Sequence, residues 1–250
     1  MQHVMVKGLV IRETNFGESN RYITVLTDKG MKIEVLCRNV RTRNGRLYSA
    51  VRLFCFSELV LYQKGDKYTL NDATLIHSFW SITQDVEIYA LSCYFSECLM
   101  AVTESLEAEP ELTRLILYAL RAASEQKRAK EIVKSAFELK LMALSGFSPD
   151  LSVCGACLKQ IEGQVYFSVR EGVILDANCK NRIGSSDFVA LGSGTYSAMK
   201  HILSCKIEKL FSFTLSGDNL KQLSILCQQY MLYHLGRGFA SLDFYNKLCP

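Results

Sequence analysis

The residues best suited to chemistry are three cysteines and an aspartate in the second half of the chain. Cys154 and Cys157 form a Cys-x-x-Cys turn, and Asp176 and Cys179 follow at the same spacing after 18 intervening residues. Two such turns at this separation are typical of zinc ribbons, because each turn brings its two ligands to one ion. A carboxylate oxygen can also ligate zinc. Cys154, Cys157, Asp176 and Cys179 are therefore candidate ligands of a structural zinc ion.

Two other hypotheses fit the same four residues. A carboxylate is a harder ligand than a thiolate and makes a site less selective for zinc, so the motif could be a former site that holds no metal. Alternatively, Cys154 and Cys157 could be a redox dithiol, although no βαβ unit of the kind that usually surrounds such a dithiol precedes them. Most of the 10 cysteines in the chain are expected to be reduced core residues.

A basic stretch in the first half of the chain is the second candidate site. Four arginines fall within nine residues, 38–46, that contain no acidic side chain. Guanidinium groups offer several donors to a phosphate, and clustered like charges repel unless an anion neutralises them. We therefore predict that this loop binds nucleic acid, and the alternative is a solvated loop. The predicted binding residues are Arg38, Arg41, Arg43 and Arg46 in the loop, with Lys32 and Arg21 extending the surface.

Composition and charge narrow the functional classes. The chain is 49% hydrophobic and 22% charged, as globular proteins are, and no apolar run approaches the ~18 residues that span a bilayer. The start of the chain does not resemble a signal peptide, so a cytoplasmic location is predicted. Residues 1–80 contain 12 Lys and Arg against 7 Asp and Glu, whereas residues 81–150 contain 7 against 11. Such a basic segment attracts polyanions, although uneven charge also arises by chance.

Motifs for catalysis are missing from the sequence. It contains no P-loop, no GxGxxG after a strand, no HExxH and no GxSxG, and its four histidines are isolated. We therefore predict that the protein is not an enzyme and has no small-molecule substrate. The enzymatic alternative is a nuclease or a cysteine-dependent oxidoreductase.

The elements that must position the basic loop are predicted strands. Residues 4–79 alternate with a period of two and are interrupted by turn residues, which predicts five strands. Five short antiparallel strands suit a small closed barrel of the OB type, and an SH3-like barrel fits almost as well. The predicted strands cover residues 4–13, 21–27, 31–37, 51–62 and 67–77.

The remainder of the chain is predicted to be mainly helical. Residues 150–183 form a β-hairpin that carries the cysteine motif, inserted between helices. In the third helix, Val133 and Phe137 are expected to face the core, with Lys134 and Glu138 mostly on other faces. The predicted fold class is thus α+β, with an OB-fold domain at 1–80 and a helical domain at 81–250. The predicted helices cover residues 84–105, 110–124, 127–144, 187–203 and 219–237.

Together, the barrel, basic loop, helices and cysteine hairpin resemble the bacterial RecO family of recombination mediators over nearly the whole chain. Each matching segment is short, and their order and spacing carry the resemblance. The matching segments are GLVIR at 8–12, FGESNRYITVLTDKG at 16–30, AFELKLM at 136–142, SGFSPDL at 145–151 and EGVIL at 171–175.

The resemblance implies an N-terminal OB-fold, a helical domain with a zinc-binding hairpin, and a function in DNA repair without catalysis. RecO-like proteins bind single- and double-stranded DNA, anneal complementary strands and, with RecR, help to load RecA onto strands coated by single-stranded DNA-binding protein. The family's four-cysteine zinc pattern maps onto Cys154, Cys157, Asp176 and Cys179, and Asp176 is the departure from it.

The resemblance also implies partners and a location. Expected partners are DNA, RecR and the C-terminal tail of single-stranded DNA-binding protein, with no membrane, and the expected location is the nucleoid in the cytoplasm. The functional alternative from another class is a zinc-ribbon and OB interaction module that binds protein or RNA without annealing strands.

Overall fold

The chain packs as two compact units. The computed structural model describes residues 2–40, 46–103, 109–183 and 187–249. One unit contains Met1–Ser124 and Phe239–Pro250, and the other contains Glu125–Gly238. The predicted domains, 1–80 and 81–250, divide the chain once, and that division stays a prediction. Among the described residues, no helix combines the length and the apolarity needed to cross a membrane.

The first unit contains a closed five-stranded barrel, which confirms the predicted OB-type architecture. Its strands follow one another around the barrel in the order β1-β2-β3-β5-β4. Neighbouring strands are antiparallel except at the seam between β3 and β5, which are parallel. The strands are β1 (Gln2–Phe16), β2 (Asn20–Thr27), β3 (Lys32–Cys37), β4 (Cys55–Lys64) and β5 (Lys67–Ser78).

Side-chain alternation fills the barrel interior. Along β4, Cys55, Ser57, Leu59 and Leu61 are buried while the residues between them are partly exposed. This is the period of two that the sequence shows. The interior is filled by small, β-branched and leucine side chains from all five strands and from the segment before β4. Its buried members are Val10, Ile23, Val25, Val35, Cys37, Val40, Ala50, Val51, Leu59, Leu61 and Ala73.

Short helices and turns replace part of one predicted strand. The strand predicted at 51–62 begins only at Cys55, because the chain first forms helix α1 (Arg46–Ala50) and then turns at Phe54, whose φ is +62°. A 3-10 helix, Trp80–Gln84, follows β5. Asp85 accepts hydrogen bonds from the backbone N–H groups of Glu87 and Ile88, which fixes the start of the next helix two residues after its predicted start.

Three longer helices belong to the described part of the first unit. They are α2 (Val86–Val102), α3 (Pro110–Glu125) and α8 (Ala240–Leu248). Helix α8, which was not predicted, packs on α2, and Ser241 donates hydrogen bonds to the carboxylate of Glu97 from both its backbone and its hydroxyl group. On α3, the hydroxyl of Thr113 donates to the carbonyl oxygen of Thr27 at the end of β2, 2.6 Å away.

The second unit combines helices with a small sheet. The predicted hairpin is present, and it gains a strand on each side to give the order β6-β8-β7-β9. The helix predicted at 187–203 is wrong in its first part, because Phe188–Ala190 pairs with β7 instead. The strands are β6 (Asp150–Cys154), β7 (Tyr166–Ser168), β8 (Val173–Leu175) and β9 (Phe188–Ala190). The helices are α4 (Lys130–Leu144), α5 (Ala177–Ile183), α6 (Ser193–Ser204) and α7 (Gly217–Leu235).

A buried ion pair lies between α4 and α7. Lys134 Nζ is 2.8 Å from Glu138 Oε1 and donates a hydrogen bond to Gln228 Oε1 on α7, and the two charged side chains are 3% and 0% exposed. The expectation that Lys134 and Glu138 mostly face away from the core is wrong, because α7 packs against this side of α4. Burial raises the pKa of the neighbouring Cys227 thiol well above its usual value, and the charge of Glu138 raises it further.

We expect Glu138→Ala to lower the free energy of unfolding by about 3–5 kcal/mol, because it leaves the Lys134 charge buried without its carboxylate. The measurement is urea denaturation. Glu125→Ala is the control, since it breaks the exposed pair with Lys127 and should cost less than about 1 kcal/mol. Replacing both partners, Lys134→Met with Glu138→Leu, should recover most of the loss. Equal costs for Glu138→Ala and Glu125→Ala would contradict this account.

Candidate functional site

An open groove crosses the outer face of the barrel at β2, β3, β4 and β5. Its volume is about 880 Å³. A second hollow of about 540 Å³ shares Glu34, Asp66 and Tyr68 with it and extends it past Lys32 to Thr103. In OB-folds, this face and the loops beside it bind oligonucleotides. The groove is lined by Tyr22, Glu34, Leu36, Arg38, Tyr62, Lys64, Asp66, Lys67, Tyr68, Thr69, Leu70 and Asn71.

Three tyrosines give the groove aromatic surfaces. Tyr22 is 38% exposed and Tyr62 is half-buried, while Tyr68 is half-buried and packs partly against the barrel core. Two of the rings are held by edge-to-face contacts: Phe16 lies 5.3 Å from Tyr22 and His3 lies 5.1 Å from Tyr62 between ring centroids. Nucleobases stack on aromatic side chains whatever their sequence. The groove therefore has the surfaces that a single strand needs.

Exposed cations line the same groove. Arg38 follows β3, and Lys64 and Lys67 face each other across the turn between β4 and β5. Within the described part of the chain, none of these three side chains pairs with a carboxylate, although Glu34 and Asp66 also line the groove. Lys64 and Lys67 are absent from the predicted binding residues. Their place at the turn between the predicted strands 51–62 and 67–77 is the sequence signal that could have found them.

The predicted binding residues are not all in the groove. Arg38 lines it, and Lys32 lines its extension, where its Nζ donates a hydrogen bond to the carbonyl oxygen of Met100, 3.4 Å away. Arg41 and Arg43 lie outside the described residues, as does the side chain of Arg46, whose backbone begins α1.

Arg21 differs from its prediction, because its side chain is only 8% exposed. Its Nη1 lies 2.9 Å from Glu13 Oε2, and its guanidinium lies over the ring of Tyr48, 5.6 Å from the centroid. The cause is strand alternation, since Tyr22 points into the groove and its neighbour Arg21 therefore points away from it. We leave Arg21 out of the DNA surface proposed below.

The structure brings the four candidate metal ligands together. Strands β6 and β8 are parallel neighbours, so Cys154 at the end of β6 lies near Asp176, which directly follows β8. The Cys-x-x-Cys turn brings Cys157 back to them, and Cys179 comes from the first turn of α5. The ligand atoms of these four residues all lie within 4.8 Å of one another. The group could therefore hold a metal ion.

Hydrogen bonds orient the carboxylate of Asp176 and stabilise its ionised form. Asp176 Oδ1 accepts the backbone N–H of Cys179 at 2.7 Å, and Oδ2 accepts the thiol of Cys157 at 3.4 Å. The Cys179 backbone bond is the main reason that the pKa of Asp176 falls to about 2. One carboxylate oxygen thus caps the turn, while the other faces the thiols as an anionic donor.

The two thiols that face Asp176 from β6 and α5 differ in acidity. Burial alone would raise the pKa of Cys154, but hydrogen bonds from the backbone N–H groups of Asp176, Cys157 and Ala156 and from the Cys157 thiol lower it below its usual value. Burial, together with the neighbouring thiols and carboxylate, raises the pKa of Cys179 to about 12. Metal ligation requires thiolates, so binding at neutral pH would release protons.

Comparisons with known proteins cover nearly the whole chain. Residues 1–79 match the family model described as Recombination protein O N terminal, and residues 83–243 match Recombination protein O C terminal. The chain is 29% identical over 249 residues to the DNA repair protein RecO of Acetivibrio thermocellus, covering 99% of this chain and 98% of that protein. It is 27% identical over 248 residues to the same-named protein of Thermoanaerobacter sp. (strain X514), covering 99% of each. It is 32% identical over 173 residues to that of Bacillus pumilus, covering 69% and 67%.

Proposed function

Since the chain belongs to the RecO family of DNA repair proteins, we propose that it is a DNA-binding recombination mediator. In this proposal it anneals complementary strands and helps to load recombinase onto single-stranded DNA coated by single-stranded DNA-binding protein. It does so by binding strands and not by catalysing a reaction. RecR and the acidic C-terminal tail of single-stranded DNA-binding protein are its proposed partners, and the nucleoid in the cytoplasm is its proposed location.

The groove on the barrel is the observation that supports DNA binding best. It combines three tyrosine rings with cations that have no carboxylate partner among the described residues. Phosphate contacts and base stacking bind a strand regardless of sequence, as annealing requires. The groove is open, so a strand can leave once it has paired. The proposed DNA surface contains Arg38, Lys32, Lys64 and Lys67, together with the loop arginines Arg41, Arg43 and Arg46.

The first test of this surface is the salt dependence of DNA binding. We expect the triple variant Arg38→Ala, Lys64→Ala, Lys67→Ala to have a shallower slope of log K against log salt concentration for single strands. The slope should decrease in magnitude by about 2, because each lost phosphate contact contributes roughly 0.7. The control variant replaces three exposed lysines outside the groove, Lys159, Lys221 and Lys247, with Ala. It removes the same charge and should leave the slope nearly unchanged. An equal effect of both variants would show that only total charge matters, against the proposal.

The second test is annealing itself, followed with two complementary fluorescent oligonucleotides in the presence and absence of single-stranded DNA-binding protein. We expect wild type and the control variant to accelerate annealing in both conditions, and the groove variant to lose most of the acceleration because it holds the strands weakly. If wild type neither anneals strands nor binds DNA at low salt, the interaction-module alternative replaces the proposal.

For the metal centre we propose zinc, held by Cys154, Cys157, Asp176 and Cys179. Zinc accepts this combination of thiolate and carboxylate ligands in a tetrahedral site. A bound ion would tie the ends of β6 and β8 to the start of α5, and it would stabilise the fold without taking part in a reaction.

We expect the purified protein to bind one zinc ion per chain, measured by competition with a chromophoric chelator. Asp176→Asn keeps a side chain that can cap the turn but removes the anionic ligand. It should weaken zinc binding by more than about tenfold, since even the loss of a group that only supports a ligand costs that much. Asp176→Cys should bind zinc at least as tightly as wild type. No zinc binding by wild type would support the former-site hypothesis, and equal affinity of Asp176→Asn would exclude Asp176 as a ligand.

A further inference from the structure

A second pocket on the barrel unit shares no lining residue with the groove. We call it the Trp80 pocket, and it has a volume of about 190 Å³. It is formed where β1, the end of β5 and the 3-10 helix meet the segment after α1. The lining residues that matter here are Glu13, Arg52, Leu75, Trp80 and Tyr89.

The pocket contains a guanidinium that lies within cation–π distance of two aromatic rings. The Arg52 guanidinium lies 4.9 Å from the ring centroid of Trp80 and 5.8 Å from that of Tyr48. These cation–π contacts favour this placement of the side chain, which is half-buried. The N–H edge of a guanidinium stacked in this way stays free to bind an anion.

The charge of Arg52 is not neutralised within the described residues. Glu13 is the acidic residue of the pocket, and its Oε2 already accepts hydrogen bonds from Arg21 Nη1 at 2.9 Å and from the backbone N–H of Leu53 at 3.1 Å. No carboxylate forms an ion pair with Arg52 in the described part of the chain. The pocket therefore presents a positioned cation that lacks a counter-ion.

The pocket also exposes a large aromatic surface. Trp80, the one tryptophan of the sequence, is 53% exposed, and Leu75 and Tyr89 beside it are each 37% exposed. An exposed indole does not contribute the hydrophobic free energy that it would supply if it were buried in the core. An exposed ring next to an unneutralised guanidinium matches a ligand that is both flat and anionic. A nucleotide of a single strand has both properties.

We propose that the Trp80 pocket is a second binding site for single-stranded DNA, in which a base stacks on Trp80 and its phosphate contacts Arg52. This inference rests on the proposed DNA-binding function and extends it. Because the groove and the Trp80 pocket share no residue, one barrel has two separate places for nucleotides. Two sites allow it to hold two strands, or two stretches of one strand, at the same time.

Trp80 supplies its own probe, because its fluorescence is quenched when a base stacks on it. The experiment titrates the full chain with oligothymidylate, following Trp80 fluorescence and, in parallel, the anisotropy of a labelled oligonucleotide. An abasic oligonucleotide of the same length is the matched ligand, since it keeps the phosphates and lacks the bases. We expect quenching by oligothymidylate, little quenching by the abasic strand, and quenching that persists in the groove variant Arg38→Ala, Lys64→Ala, Lys67→Ala.

Substitutions in the pocket separate stacking from structure. Trp80→Ala should weaken binding by that groove variant about 5- to 150-fold in the anisotropy assay, which is the usual effect of losing one stacked base. Trp80→Phe keeps an aromatic face and should recover most of the affinity. Arg52→Ala should weaken oligothymidylate quenching while leaving Trp80 in place.

Each contrary outcome has a distinct meaning. DNA binding by anisotropy without any change in Trp80 fluorescence would overturn the second site and leave the proposed function standing. The absence of DNA binding in both assays would overturn the proposed function, and the second site with it. Equal quenching by the abasic strand, or loss of quenching in the groove variant, would overturn the inference.

Discussion

The barrel depends on a short parallel seam that closes its five strands. In the described strands, the seam between β3 and β5 consists of the pairs Val35 with Tyr68 and Leu36 with Thr69. Closure separates a filled interior from an outer face, and side-chain alternation then assigns each residue to one of them. Leu36 and Thr69, which form one seam pair, line the groove on the outer face. Tyr68, which pairs with the buried Val35, packs partly against the barrel core and also borders the groove and its extension, so the groove follows the seam. The strand pairing that closes the barrel around its core therefore also positions the residues of the candidate DNA surface.

Burial separates the charges that hold the fold together from those that are available to a ligand. Lys134 is buried and paired with Glu138, and Arg21 is buried and paired with Glu13, so both serve packing. Lys64 and Lys67 are exposed at the rim of the groove, and Arg52 is held by rings without a carboxylate partner among the described residues. A buried charge must be paired because its desolvation is costly, whereas an exposed cation is stable without a partner and can bind a phosphate. Residue type alone does not distinguish these two groups.

Periodicity and spacing predicted much of the fold and part of the site. The five strands, the hairpin at β7 and β8, and the convergence of the cysteine motif follow from local patterns, and the structure contains all three. Strand β9 was missed because three residues, Phe188–Ala190, are too few to show a period, and their pairing partner β7 is distant in sequence. The sequence predicts Arg21 on the basic surface and Lys134 outside the apolar stripe of its helix, and the structure buries both. Their burial is decided by Glu13 and by α7, which a local pattern does not reveal.

Single-stranded DNA is proposed to lie in the groove along the β3–β5 seam. The most direct measurement is photocrosslinking of the full chain to an oligonucleotide that carries 5-iodouracil, followed by peptide mass spectrometry, because the photoactivated base reacts with aromatic side chains stacked on it. We expect crosslinks at Tyr22, Tyr62 or Tyr68. Crosslinks confined to Glu125–Gly238, with none in the barrel, would contradict the proposal.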